Sequence, residues 1–414
     1  MAVDTVGCQN VFYAQYVTSA VESTRDVPDG RRSWAVAIVG ALGMVFTFGT
    51  VFSYGVFLDP FTETFGIKPV ALSTIFSAML FMFFVGAGVM TIFAARVSAR
   101  MVLLACAIAT AAIAPALYVV EGYLGLFVVF VILGLALGTA FILMAAVIPQ
   151  WFEERRGTAT GLIFAGNGLG MFILPPTWQF AFERIGVREG FLLIMAATAV
   201  GFVFTGAACR RPRWVEPSTM ATDEVVRWLG QMSRTRTFRL VFTGVALSFA
   251  WLHMVTAYAI ELFTYRGMAG AAAATAFGAI GGVSIVSRLG SGYVADMVGF
   301  RRAFLASLSC SAAGIALLAA PQLVMLMVAI FLIGMGLGGM ATLYVPLLMQ
   351  IYEDESDTII VGLSNVAIGF VAVAGPPLVV GILVHTGSFP AVIAITFLVA
   401  VGGIWTVAAG TKGD

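Results

Sequence analysis

Apolar residues along this chain gather into runs long enough for the roughly 20 residues a helix needs to cross a lipid bilayer. Short joints carrying charge, Gly or Pro separate them. Twelve such runs stand near 33–59, 70–95, 101–120, 122–149, 157–182, 191–208, 238–263, 271–295, 303–320, 323–348, 359–384 and 391–409. Backbone groups inside hydrocarbon must pair within their own segment, so each run is predicted to be an α-helix. The only long polar stretch among them, 210–236, "RRPRWVEPSTMATDEVVRWLGQMSRTR", has six runs before it and six after it; within it, 222–232 reads as an interfacial helix. The predicted fold is therefore an all-α integral membrane protein of twelve transmembrane helices: an N-terminal segment 1–32, a six-helix half 33–209, a linker 210–236 and a second six-helix half 237–411.

The halves repeat one another at an offset of about 200 residues. Gly134 and Gly138 of "ILGLALG" recur as Gly334 and Gly338 of "LIGMGLG", and Gln150 recurs as Gln350. Gly161, Leu162, Pro175 and Pro176 recur as Gly362, Leu363, Pro376 and Pro377. With 46 glycines in the chain, one match would be chance, but several in register are not. Two related six-helix halves are a transporter arrangement in which a solute binds near the midplane between them. The double prolines are expected to end or kink their helices.

Composition agrees: 60% of the residues are hydrophobic, 10% are charged and the mean hydropathy is +1.01, values outside the range of water-soluble folds. The net charge of +1 conceals an asymmetry. Assigned to alternate sides of twelve spans, 17 of the 22 Lys and Arg residues fall on the side of both termini and 4 on the other, with Arg288 inside a span. The positive-inside rule then places both termini and the linker in the cytoplasm, in a multi-pass cell-membrane protein. The first 32 residues lack an early apolar core, so no cleaved signal peptide is expected. Cys8, Cys106, Cys209 and Cys310 lack metal-ligand spacing, so no metal site, disulfide framework or cofactor is expected. No span pairs His with carboxylates at metal spacing or carries a Ser/His arrangement, which argues against an enzyme; near-symmetric halves and short loops argue against a receptor. A nucleic-acid partner is not expected, and the functional unit is expected to be a monomer.

"GYVADMVGFRR", 292–302, resembles the loop motif of the major facilitator superfamily, with Gly292, Asp296, Gly299, Arg301 and Arg302 at its motif positions. The first-half counterpart, "GVMTIFAARVSAR", is degenerate and has Ile92 where the motif's Asp would fall. "WFEERRGTATGLIFAGNGLG", 151–170, with "DGRRSW", 29–34, and "VGLSNVAIGFVAVAGPP", 361–377, resembles more narrowly the monocarboxylate transporter and oxalate/formate antiporter-like branch. The resemblance implies alternating access and transport of a small organic anion, a lactate- or pyruvate-like monocarboxylate, with a proton. The alternatives are an oxalate/formate-type exchanger or a carrier of another small solute.

Arg288 lies in "SRLGSG", about 12 Å along the helix from Asp296, toward mid-bilayer. A charged side chain there costs about 3 kcal/mol or more, which makes it a functional candidate by default; a structural pair with a neighbouring helix is the alternative. The resemblance implies that this arginine binds the substrate carboxylate, and a guanidinium suits that role through two parallel hydrogen bonds. Oxalate-exchanging relatives carry a second cation in the eleventh span, whereas 361–383 holds no Lys or Arg, which favours a monocarboxylate. Where relatives place proton-accepting acids, this chain has Tyr265 and Ser284. Glu261, one turn from Tyr265, is a replacement candidate or else a solvated carboxylate, and His253 is a proton relay or a packing residue. Asn167 and Asn365 are nearly pseudo-equivalent and read as helix–helix contacts or ligands. Phe141 falls where relatives often show Tyr. Tyr54 and Tyr344 are candidate pocket walls. The acids of "YEDESD", 352–357, on the face of Arg301 and Arg302, are expected to form a gate.

Overall fold

The computed structural model describes residues 28–93, 96–212, 227, 230, 232–352 and 357–411. The N-terminal segment before Pro28, most of the expected helix at 222–232 and the acids at 353–356 lie outside the described residues. Helices account for nearly all of the rest: α1 Arg31–Val51, α2 Tyr54–Phe65, α3 Pro69–Phe93, α4 Ala99–Ile113, α5 Gly122–Val147, α6 Arg156–Ile185, α7 Val187–Ala208, α8 Arg236–Tyr265, α9 Gly270–Val298, α10 Phe300–Leu317, α11 Leu323–Ile351, α12 Asp357–Thr386 and α13 Phe389–Gly410. Eleven are long and apolar enough to cross a membrane. The ninth expected span, α10, has 18 residues and carries Arg301 and Arg302 in its first turn; it packs extensively against α11 and also against α13.

The first span is not the single run its sequence suggests. It breaks at Phe52 and Ser53, where the Ser53 hydroxyl donates to the Gly49 carbonyl at 2.6 Å, and resumes as α2. A serine bonded back to its own helix competes with the backbone ladder and favours a bend. The break turns the aromatic side chains of α2 into the first half.

The repeated glycines have one structural role. Gly134 and Gly138 of α5 lie directly on the backbone of α3 at Met79 and Phe83, and Gly334 and Gly338 of α11 lie on α9 at Ile280 and Ser284. The two halves meet along two seams, α3 against α12 and α6 against α9. Each seam contains a reciprocal glycine pair. A Cβ on Gly168 would stand 2.9 Å from the Gly281 carbonyl, and one on Gly281 would stand 2.7 Å from that of Gly168; for Gly88 and Gly362 the distances are 2.6 and 3.0 Å. Small residues let helix backbones approach where lipid supplies no hydrophobic drive for association.

Of the two expected effects, ending or kinking, the double prolines do not end their helices: α6 continues to Ile185 and α12 to Thr386. Pro175 and Pro176 leave the carbonyls of Met171 and Phe172 without an intrahelical donor. Both face Gly278 of α9, where a Cβ would lie 2.6 Å from the Phe172 oxygen. A neighbouring backbone at close range is what allows a transmembrane helix to tolerate proline.

Candidate functional site

Arg288 lies on α9 facing the protein interior, 3% exposed. Among the described residues its Nε and Nη1 have no hydrogen-bond partner, and its electrostatic neighbour is Tyr344 of α11. Gly338 of α11 presses on the Arg288 backbone, and the Ser287 hydroxyl donates to the Met335 carbonyl, so α11 fixes the segment bearing the arginine at two points. The Tyr344 side chain lies near that of Asn365 of α12, whose Nδ2 donates to the Val361 carbonyl at 2.9 Å. The Tyr344 ring meets Phe249 of α8 edge-on at 5.3 Å. One turn along α8 is His253, fully buried, stacked on Phe52 at 5.9 Å and met edge-on by Phe84 at 5.5 Å. Phe48, Phe83 and Phe141 extend this wall into the first half, with Phe83 and Phe141 5.4 Å apart.

The structure thus brings together Arg288, Tyr344 and Asn365, and carries an aromatic chain from them to His253 and Phe141. Ser284 stands one turn before Arg288, with its hydroxyl donating to the Gly281 carbonyl at 2.7 Å and facing Gly168 across the seam. Asn167 adjoins that contact, buried, with its Oδ1 unpartnered among the described residues. Tyr54 stands apart: it stacks on Phe76 of α3 at 3.8 Å within the first half and borders an aromatic cavity there.

Glu261 is exposed, two turns beyond His253 on α8. It faces a cavity of about 410 Å³ between α2, α6 and α8 at the end opposite the basic clusters. Asp59, Glu63 and Glu183 share the lining, and among the described residues no Lys or Arg does.

In the loop motif, Gly299 adopts φ +90° at the joint of α9 and α10, a conformation that favours glycine. Arg301 donates through Nε to the Thr411 hydroxyl at 2.7 Å and through Nη2 to the Ala408 carbonyl at 3.3 Å. It therefore holds the end of α13 inside the second half, while Gly292 faces open space and Asp296 and Arg302 are exposed.

Sequence reasoning missed a latch at the basic end. The Asp29 carboxylate accepts backbone N–H bonds from Glu153 and Glu154 at 3.0 and 3.1 Å and from Arg155 at 3.1 Å, while its own N–H donates to the Trp151 carbonyl. Trp151 Nε1 donates to the Arg210 carbonyl at 2.8 Å, and Trp34 meets Phe152 edge-on. Partial desolvation pushes the Asp29 carboxyl up, but the three N–H donors outweigh it and hold the group below its ordinary range. The quoted motifs "DGRRSW" and "WFEERRG" are the two sides of this contact. Their separation by 124 residues hid the pairing. Phe52, Phe84 and Phe249 were missed as well, although Phe249 and His253 are spaced i, i+4.

Two helical halves joined at glycine seams, with a buried cation borne by the second, define a multi-pass, all-α membrane protein. Residues 40–299 match the sequence profile of the Major Facilitator Superfamily, and the chain belongs to that family. It is 27% identical over 194 residues to "Monocarboxylate transporter 7" of Homo sapiens, covering 45% of this chain and 35% of that protein, so the match spans about a third of that relative's length. It is 26% identical over 282 residues to "MFS-type transporter pytF" of Aspergillus terreus, covering 66% of this chain and 92% of the relative. The solved structure of the peptide transporter POT in complex with sulfate superposes with a TM-score of 0.74 at 13% identity, covering 94% and 97% of the two chains, a likeness of fold.

Proposed function

We propose that this transporter carries a small organic anion, a monocarboxylate, by alternating access, with Arg288 as the anchor of its carboxylate. One observation carries the reading: a guanidinium buried inside the protein on α9, a helix of the α6–α9 seam, with Nε and Nη1 lacking a partner among the described residues. Burying a charge without a partner is strongly unfavourable, and an incoming carboxylate supplies the missing acceptors in a geometry a guanidinium matches. Tyr344 and Asn365 orient the arginine, Phe141 and its aromatic neighbours take up the apolar body, and the glycine seams are the surfaces on which the halves rock. The absence of Lys and Arg from 361–383 favours one carboxylate over two. The names of several curated relatives point the same way.

The acidic cavity supports proton coupling over exchange. Carboxylates lining one water-accessible space raise the local concentration of cations, protons included, and Glu261 is the one borne on the His253 helix. The asymmetry of Lys and Arg supports both termini and the linker in the cytoplasm, which reporter fusions within 210–236 would test. The carrier is proposed to act as a monomer, which its mass in detergent would test. Uptake of labelled short-chain acids into proteoliposomes tests the function itself: accumulation that Arg288→Ala abolishes in a normally inserted protein is expected, and uptake unaffected by that change overturns the reading.

A further inference from the structure

His253 has no role in the transport reading beyond that of an undecided titratable group, yet its setting is specific. The ring is fully buried, and neither Nδ1 nor Nε2 has a hydrogen-bond partner among the described residues. Phe52 covers one face and Phe84 meets it edge-on, both from the first half, while the ring itself is borne by α8 of the second. Phe84 also packs against Gly369 of α12, one turn from Asn365, so this slot and the Arg288–Tyr344–Asn365 cluster belong to one interface between the halves. An imidazole that only filled space in an aromatic wall would be replaced without loss by phenyl, and it leaves two polar atoms unsatisfied. A neutral imidazole offers one donor and one acceptor, the complement of a hydroxyl.

The place of the slot limits what fills it. Tyr344 is the electrostatic neighbour of Arg288, and the Phe249 ring, one turn from His253, packs against Tyr344 at 5.3 Å. The path of contacts from Arg288 to His253 thus runs through the Tyr344 and Phe249 rings, a longer route than the two-bond spacing of a 2-hydroxy or 2-oxo acid. Between them the lining is aromatic.

We infer that His253 is a second substrate anchor, and that the substrate is a monocarboxylate with a flat apolar body and a hydroxyl or carbonyl at the end remote from its carboxylate. The inference rests on the carboxylate reading and narrows it away from three-carbon acids.

Binding of propionate, phenylacetate and 4-hydroxyphenylacetate to the purified full-length protein tests it, with His253→Phe and His253→Gln beside the wild type. The hydroxylated acid is expected to bind wild type about tenfold more tightly than phenylacetate, a hydrogen bond's worth. His253→Phe should erase that preference and leave phenylacetate binding unchanged; His253→Gln, which keeps a donor and an acceptor, should retain most of it. A hydroxyl preference that survives His253→Phe, no preference in wild type, or binding of propionate alone overturns the inference and leaves the carboxylate reading standing. Failure of wild type to bind any of the three overturns both.

Discussion

Replacing Arg288 should move stability and binding in opposite directions. Arg288 is 3% exposed, and its Nε and Nη1 have no partner among the described residues, so the substrate-free protein carries the desolvation of a charge that no described residue offsets. A charged side chain at the centre of a membrane helix costs about 3 kcal/mol or more, and apolar residues of similar volume in place of buried charges are often stabilising. Arg288→Met keeps the length and removes the charge; the substrate-free variant should melt at a higher temperature than wild type in detergent. Its binding of carboxylates should be lost. Arg288→Lys retains the charge but loses the planar fork, costing about the value of a charge-assisted hydrogen bond, ~1.5–3 kcal/mol, which is about a 10- to 150-fold rise in Kd. Thermal shift with and without ligand, together with direct binding, reads both quantities on the same preparations. If Arg288→Met melts lower than wild type, or binds a monocarboxylate as tightly as wild type does, the arginine holds the fold together and the reasoning is refuted.

Asp29→Asn should lower the thermal midpoint by weakening the charge-assisted bonds to the 153–155 loop. Because the folded carboxyl lies below its unfolded value of 3.8, its contribution is present above that value and lost as pH falls through the folded one. The gap between variant and wild type, followed as midpoint against pH, should close in acid; a gap independent of pH would sink the latch. Gly168→Ala puts a methyl 2.9 Å from the Gly281 carbonyl and should wedge the α6–α9 seam, at the ~1–3 kcal/mol typical of overpacking. Cysteine accessibility from the two sides of the membrane should change, and an unchanged pattern would show that the seam does not govern the rocking of the halves. Glu261→Gln should abolish the acceleration of uptake by an inward proton gradient while sparing exchange of substrate for substrate, since exchange does not require the empty carrier to return; gradient-driven uptake that persists would remove Glu261 from the coupling.

The sequence alone determined the membrane spans, the repeat and Arg288, because lipid enforces a one-dimensional rule: an apolar run of sufficient length becomes a helix, and a charge within it stands out. The glycines of "ILGLALG" and "LIGMGLG" were legible as a repeat before their shared contact on α3 and α9 was known. What a residue meets across the bundle follows no such rule. The break at Ser53, the prolines absorbed by the backbone of α9, the joining of two distant motifs at Asp29 and the aromatic slot around His253 all depend on which helix lies alongside which. Tyr54 and Tyr344 look alike as pocket candidates in the sequence, yet one stacks inside the first half and the other stands beside Arg288. Only the packing distinguishes them, because near-uniform hydropathy around a membrane helix leaves no polar face to mark the direction in which a side chain points.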